Sequence, residues 1–406
     1  MSLANNIEFL RYLPKVNGLN GLGGLSRGLR GGKSRLVETT SFGSNPGELR
    51  MFSFAPGDLP RAPALVVVLH GCTQNATGYD VGAGWSALAE RYGFALLMPE
   101  QTSSNNANGC FNWFQPQDMT RDSGEAHSIR QMIERASREF GIDHRRIFIT
   151  GLSAGGAMTS VMLATYPEIF AGGAIIAGLP FGVASNVREA LSGMYQSPAR
   201  AAPELGDLVR SASNHKGPWP KLSVWHGSAD RTVNPANANE IVKQWLDVHR
   251  LPSHPMSEGV VDGYPHQLWW NAAGETVVES YTITDMAHGT PIGKAENDQQ
   301  YGKEGAFLIE AGISSSHHIA SFFGITDGIP KLAGPPVRAA LDSPSAKLIP
   351  LASPISAPSV LSKVLQPLIA ATQPATAPVQ PDAKRRGTLD VSAAITRALT
   401  AAGLMK

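Results

Sequence analysis

Apolar residues along the chain fall into two patterns. Some form short unbroken runs, and others recur at helical spacing between polar positions. The clearest run is residues 64–70, Ala-Leu-Val-Val-Val-Leu-His, which predicts a strand buried on both faces. Runs over 94–99, 146–150, 173–177, 221–227 and 276–283 predict further strands, and 49–54 alternates like an outer strand. Helical spacing predicts helices over 85–92, 157–166 and 236–249. A helix is also expected from Asp122, as its cap, through Phe140, with Glu125 completing a capping-box pattern. Residues 180–219 carry helical segments between Pro and Gly and read as an insertion or cap, and a closing helix is expected over 304–323. Strands alternate with helices throughout. That order predicts an α/β fold with a mainly parallel sheet covered on both faces, its strand C-terminal ends sharing one edge.

The flanks break this pattern. Residues 1–35 read as a flexible appendage, with a Gly-Leu-rich run and a small basic cluster at Arg27, Arg30, Lys33 and Arg35. The folded domain is expected over 36–328. Pro, Ala and Ser dominate 329–387, which reads as a linker. Over 388–406, Leu389, Val391, Ile395, Leu399 and Leu404 fit a short amphipathic helix able to contact a partner or polymer surface.

Composition narrows the choice of function. The 406 residues carry a formal net charge of +1, with 17% charged residues, which gives no electrostatic reason to expect nucleic acid as a partner. No stretch is long and apolar enough to span a bilayer. The first 15 residues contain Glu8, Arg11 and Lys15 and lack the apolar core of an ordinary secretory signal. Two cysteines, Cys72 and Cys110, permit one disulfide without requiring it.

The chemistry centres on Gly151-Leu152-Ser153-Ala154-Gly155, set between a predicted strand and a predicted helix. That is the context of a nucleophile elbow, where a sharp turn lifts a serine hydroxyl above the sheet beside a helix N-terminus. A serine needs a histidine to accept its proton, and the histidine needs an acid behind it. In this fold they follow in the order serine, acid, histidine. Asp230 lies in the loop after the strand 221–227, and His288 directly after the strand 276–283. Asp262 and Asp285 are the weaker candidates for the acid. His226, at a strand end, reads as structural, and His317 and His318 as the solvated face of the closing helix. The oxyanion donors are expected to be the Ala154 N–H and, from the loop after His70, the Cys72 N–H, with Thr73 next. His70 is expected to shape that loop.

Five segments carry a resemblance: residues 69–74 (Leu-His-Gly-Cys-Thr-Gln), 109–114 (Gly-Cys-Phe-Asn-Trp-Phe), 151–156 (Gly-Leu-Ser-Ala-Gly-Gly), Trp225-His226-Gly227 with Asp230, and His288-Gly289. Together they resemble the poly(3-hydroxybutyrate) depolymerase family of esterases, related to feruloyl and acetylxylan esterases. The resemblance implies an α/β-hydrolase fold and serine-esterase chemistry on a polyester or plant cell-wall esters; no metal or cofactor is expected. It also implies a Cys72–Cys110 disulfide and an extracellular or periplasmic setting, against which the unmarked N-terminus leaves a cytoplasmic one open. Phe111, Trp113 and Phe114 are expected to wall the scissile ester. A serine peptidase on the same fold, or a polymer-binding protein with an inactive triad, are the competing readings.

Overall fold

The structure, a computed structural model, describes residues 35–293 and 301–326. The N-terminal appendage, the linker and the C-terminal helix expected from sequence lie outside the described residues, apart from Arg35. In chain order the elements are β1 (Val37–Thr39), β2 (Arg50–Phe54), β3 (Leu65–Leu69), α1 (Ala76–Ala83), α2 (Trp85–Tyr92), β4 (Ala95–Glu100), α3 (Pro116–Met119) and α4 (Gly124–Phe140). Then come β5 (Ile147–Leu152), α5 (Ala154–Thr165), β6 (Gly172–Ile176), α6 (Val187–Gln196), α7 (Ala202–Ser211), β7 (Lys221–Gly227) and α8 (Ala236–His249). The chain continues through β8 (Ser257–Val261), β9 (Tyr264–Trp270), β10 (Thr276–Ile283), β11 (Thr290–Ile292), β12 (Leu308–Glu310) and α9 (Ser315–Phe322).

Ten strands form one sheet in the order β1-β2-β4-β3-β5-β6-β7-β10-β9-β8. The six central strands, β4 to β10, are parallel, and antiparallel pairs finish each side. The unbroken apolar runs are explained by burial on both faces. Along β3, Leu65, Val67 and Leu69 enter one core with Met132 and Ile133 of α4 and Met158 and Val161 of α5. Val66 and Val68 enter the other with Tyr79 of α1, Leu88 of α2 and Ile319 of α9. The period-two alternation of side chains thus divides one strand between two cores.

Several expectations need correction. The closing helix starts at Ser315, because the residues before it form a turn at Ala306 and Phe307, the strand β12 and a bend at Gly312, where φ is positive. The α4 cap is Ser123, not Asp122, and no side chain of its own completes it. Asp118 Oδ1 instead accepts the Glu125 N–H at 3.2 Å, while Glu125 turns into the interior. The hairpin β8–β9 went unread, although its turn residues Asp262 and Gly263, both at positive φ, are the pair that favours a tight hairpin. Helix α7 and the loop before α6 are tied to α8 through Gln244, whose Nε2 donates to the Leu205 and Phe181 carbonyls.

A Cβ on Gly155 would run into the backbone carbonyl oxygens of Leu69 and His70, whereas one on Gly57 would meet nothing. Gly155→Ala should therefore cost about 1–3 kcal/mol through overpacking. Gly57→Ala should stay within about 0.5 kcal/mol of the parent. Chemical denaturation of the three proteins measures the contrast.

Candidate active site

Ser153 sits on the turn from β5 into α5 with φ 57° and ψ −117°. This backbone conformation costs a non-glycine residue roughly 1–3 kcal/mol unless its surroundings fix it. They do: the Ser153 N–H donates to the Ile176 carbonyl at 2.9 Å, and its own carbonyl accepts from Ala157 N–H at 2.8 Å. Gly151 and Gly155 allow the turn, since a Cβ on Gly151 would strike the Gly155 carbonyl. The serine keeps 9% of its surface exposed in an otherwise buried segment.

The loop after β3 is shaped by hydrogen bonds. Gln74 Oε1 accepts the Gly71 N–H at 2.9 Å, and Gln74 Nε2 donates to the Ala306 carbonyl at 3.1 Å. Thr73 N–H donates to the Asn108 carbonyl at 2.7 Å and is therefore already engaged. Among the described residues no acceptor takes the Cys72 N–H, which leaves it as the donor this loop can offer. Cys72 is joined to Cys110 by a disulfide. His70 is fully buried, with Nδ1 bonded to the Gly71 carbonyl at 2.8 Å and Nε2 accepting from Gln101 N–H at 3.2 Å. Burial pushes its imidazole down to about 4, so it is neutral at pH 7.

Asp230 and His288 meet. His288 Nδ1 lies 2.7 Å from Asp230 Oδ2, with the carboxylate side chain wholly buried. The other oxygen, Oδ1, accepts the Thr232 and Val233 N–H groups at 2.8 and 2.9 Å. His226 Nε2 stands 3.2 Å from Oδ2. Burial would raise the carboxyl, but the hydrogen bonds from His226 and His288 outweigh it and hold Asp230 well below the usual carboxylate range. The register explains how distant segments converge. Leu152, Ile176, Trp225 and Tyr281 stand side by side across β5, β6, β7 and β10, so the loops after them leave the same edge. The competing acids lie elsewhere in the bonding pattern: Asp262 bonds His318 at 2.8 Å, and the Asp285 N–H donates to Ser228.

The aromatic wall needs revision. Phe111 has no exposed surface and packs against the His70 ring at 5.0 Å, so it offers no face to a substrate. Trp113 and Phe114 meet edge to face at 5.4 Å and are almost as buried. Phe307, which sequence reading missed, is half-buried and stands edge-on to His288 at 5.9 Å. It holds a positive φ of 62°, and its carbonyl accepts the Thr290 N–H at 2.9 Å. A lone Phe in a Gly-rich stretch gave no periodic signal. His317 and His318 are not a solvated face: His317 stacks on Tyr301 at 5.8 Å, and His318 pairs with Asp262.

Behind the disulfide, buried Glu125 accepts from Gln101 Nε2, Asn105 Nδ2, Asn112 Nδ2 and the Asn112 N–H at 2.6, 3.1, 2.8 and 2.9 Å. Burial, and then the charge of Asp118, push its carboxyl up to about 8. The residue read as a helix cap thus organises the loop that carries Cys110.

A sheet in this order, with a serine on the strand–helix turn and a histidine–aspartate pair at the same edge, is the arrangement of the α/β-hydrolases. An acetyl xylan esterase from Aspergillus awamori shares the fold, at a TM-score of 0.61 and 24% identity over 71% of this chain and 99% of that one. Residues 51–253 match the model of the family Esterase PHB depolymerase, and the chain belongs to that family. It is 45% identical to Poly(3-hydroxyalkanoate) depolymerase C of Paucimonas lemoignei over 71% of this chain and 70% of the relative. It is 32% identical to an acetylxylan esterase of Coprinopsis cinerea over 63% of this chain and 70% of that one. The protein is a carboxylic-ester hydrolase of the serine class.

Asp230→Asn preserves the shape of the acid but not its charge, and should lower kcat by roughly 10³–10⁴ in an ester assay. The depressed Asp230 carboxyl also fixes a pH dependence of stability. Its contribution is complete above the unfolded value of about 4 and is lost as pH falls through the lower folded value. Urea melts of parent and variant should therefore keep their separation from pH 7 down to about pH 4 and converge below it.

Proposed function

We propose that the chain cleaves the esters of a poly(3-hydroxyalkanoate)-type polyester, or its oligomers, through an acyl-enzyme on Ser153. The likeness to the Paucimonas lemoignei depolymerase carries the choice of substrate. The bond between His288 Nδ1 and Asp230 Oδ2 supports the choice of machinery.

Ser153 Oγ attacks the ester carbonyl carbon while His288 Nε2 takes its proton. Asp230 holds the imidazole by Nδ1, so Nε2 is the free base, and stabilises the cation that forms. The negative charge on the carbonyl oxygen is taken by the Ala154 and Cys72 N–H groups. One such donor is worth roughly 10²–10³ in rate. When the tetrahedral species collapses, the C–O bond to the alcohol breaks and His288 returns the proton to the leaving oxygen. Water then attacks the acyl-serine and gives its proton to His288. Release of the acid restores the Ser153 hydroxyl. Phe307 supplies the apolar face beside the histidine against which the acyl chain or the leaving alcohol rests.

The acetylxylan esterase relatives motivate a second reading, removal of acetyl groups from a sugar polymer. A hydroxybutyrate oligomer, a feruloyl ester and an acetylated xylo-oligomer, assayed side by side, separate the two. The hydroxybutyrate oligomer should give the highest kcat/KM, and preferred release of acetate would replace the polyester assignment. Ser153→Ala, correctly folded by circular dichroism, should neither turn over p-nitrophenyl butyrate nor be labelled by a fluorophosphonate. Residual turnover would refute the nucleophile. Phe307→Ala should raise KM for the hydroxybutyrate oligomer about tenfold, with p-nitrophenyl acetate little changed. Equal effects on both substrates would remove Phe307 from the substrate surface.

A further inference from the structure

Asp230 is addressed by two histidines. His226 is the penultimate residue of β7, and its ring is almost wholly buried. Its Nε2 lies 3.0 Å from the Val233 carbonyl and 3.2 Å from Asp230 Oδ2. Both neighbours are acceptors, so Nε2 carries the proton; its hydrogen bond goes to the Val233 carbonyl, and the same N–H lies close enough to Oδ2 to attract the carboxylate. The other ring nitrogen, Nδ1, is buried and has no hydrogen-bond partner among the described residues.

An orphaned buried nitrogen costs free energy that an apolar side chain of similar size would not. What the histidine offers in return is the Nε2–H. A carboxylate has about four lone-pair sites. On Asp230 the backbone fills Oδ1 through Thr232 and Val233, and His288 takes one site on Oδ2. The His226 N–H adds a 3.2 Å contact to Oδ2. With donors on both oxygens and the His226 N–H close to Oδ2, the carboxylate plane is held about its last torsion, a rotation that is otherwise soft. The same ring ties the two ends of the acid loop, from residue 226 to the carbonyl of 233.

We propose that His226 is a positioning residue for ester hydrolysis, its Nε2–H fixing Asp230 Oδ2 in the orientation from which His288 is aimed at Ser153. The proposal rests on the assignment of Asp230 and His288 as acid and base. His226 also draws charge from Oδ2. This lowers the proton affinity of the carboxylate, so the proton stays on the imidazole when His288 becomes cationic. Its effect therefore falls on the chemical step and not on substrate binding.

The test uses the full chain and four variants: His226→Leu, His226→Gln, His226→Asn and Asp230→Asn. The Gln amide nitrogen reaches about as far as a histidine Nε2, and the shorter Asn does not. On p-nitrophenyl butyrate, His226→Leu should lose about tenfold or more in kcat with KM within about twofold. Fluorophosphonate labelling of Ser153 should slow in parallel. His226→Gln should recover most of that loss and His226→Asn should not, at matched melting temperature. A folded Leu variant with the parent kcat would overturn the proposal, as would equal kcat in the Gln and Asn variants. If the Leu variant does not fold, the Gln–Asn pair decides by the same comparison. Loss in Asp230→Asn without loss in the His226 variants would sink this proposal alone. Parent-like activity in Asp230→Asn would overturn the acid assignment, and this proposal with it.

Discussion

A single buried carboxylate sets the terms for the candidate catalytic edge. Asp230 carries charge in a place water does not reach, and such a charge persists only where donors surround it. The sequence around it answers that demand. The turn after Asp230 aims two N–H groups at one oxygen, while β7 and the loop after β10 each send a histidine to the other. That satisfaction draws the end of β7, the acid loop and the histidine loop together. Close packing of Gly227 against the Met286 and Ala287 carbonyls reinforces it.

The opposite side of the serine is organised in the same way by a second buried acid. Glu125 gathers donors from Gln101, Asn105 and Asn112, and the disulfide passes that order to the loop holding Cys72. The strained serine turn lies between these two polar assemblies, and its own packing is almost all backbone, glycine against carbonyl. Precision at the site therefore comes from satisfied polar groups on either flank and from close backbone approach at the middle.

The alternation of buried strands with helices was legible because parallel strands covered on both faces need unbroken apolar runs, and those are visible without neighbours. Ser153, Asp230 and His288 were legible as candidates because each follows such a run. Features decided by long-range partners were not. Glu125 stands where a capping box would put it, but whether it reaches back to the helix end or inward depends on Gln101 and Asn112, which local spacing does not reveal. Phe111 neighbours the cysteine and so suggested a substrate wall, yet the space beneath His70 claims it. The hairpin β8–β9 was harder to read because β8 is exposed, with Val260 and Val261 its apolar residues, and Pro265 interrupts β9. Its Asp262-Gly263 turn and the Leu268–Trp270 run were the signals for it.

The order in which the parts occur along the chain has a bearing on biosynthesis. Ser153 and the loop after β3 come before the groups that meet them: the imidazole arrives with residue 288, and the carbonyl that accepts from Gln74 belongs to residue 306, with Phe307 beside it. On the roles proposed for Ser153 and His288, a chain still emerging from the ribosome carries the hydroxyl before its base exists. On those roles, hydrolytic competence waits for residues 288–307, which must be made and docked before the site can work.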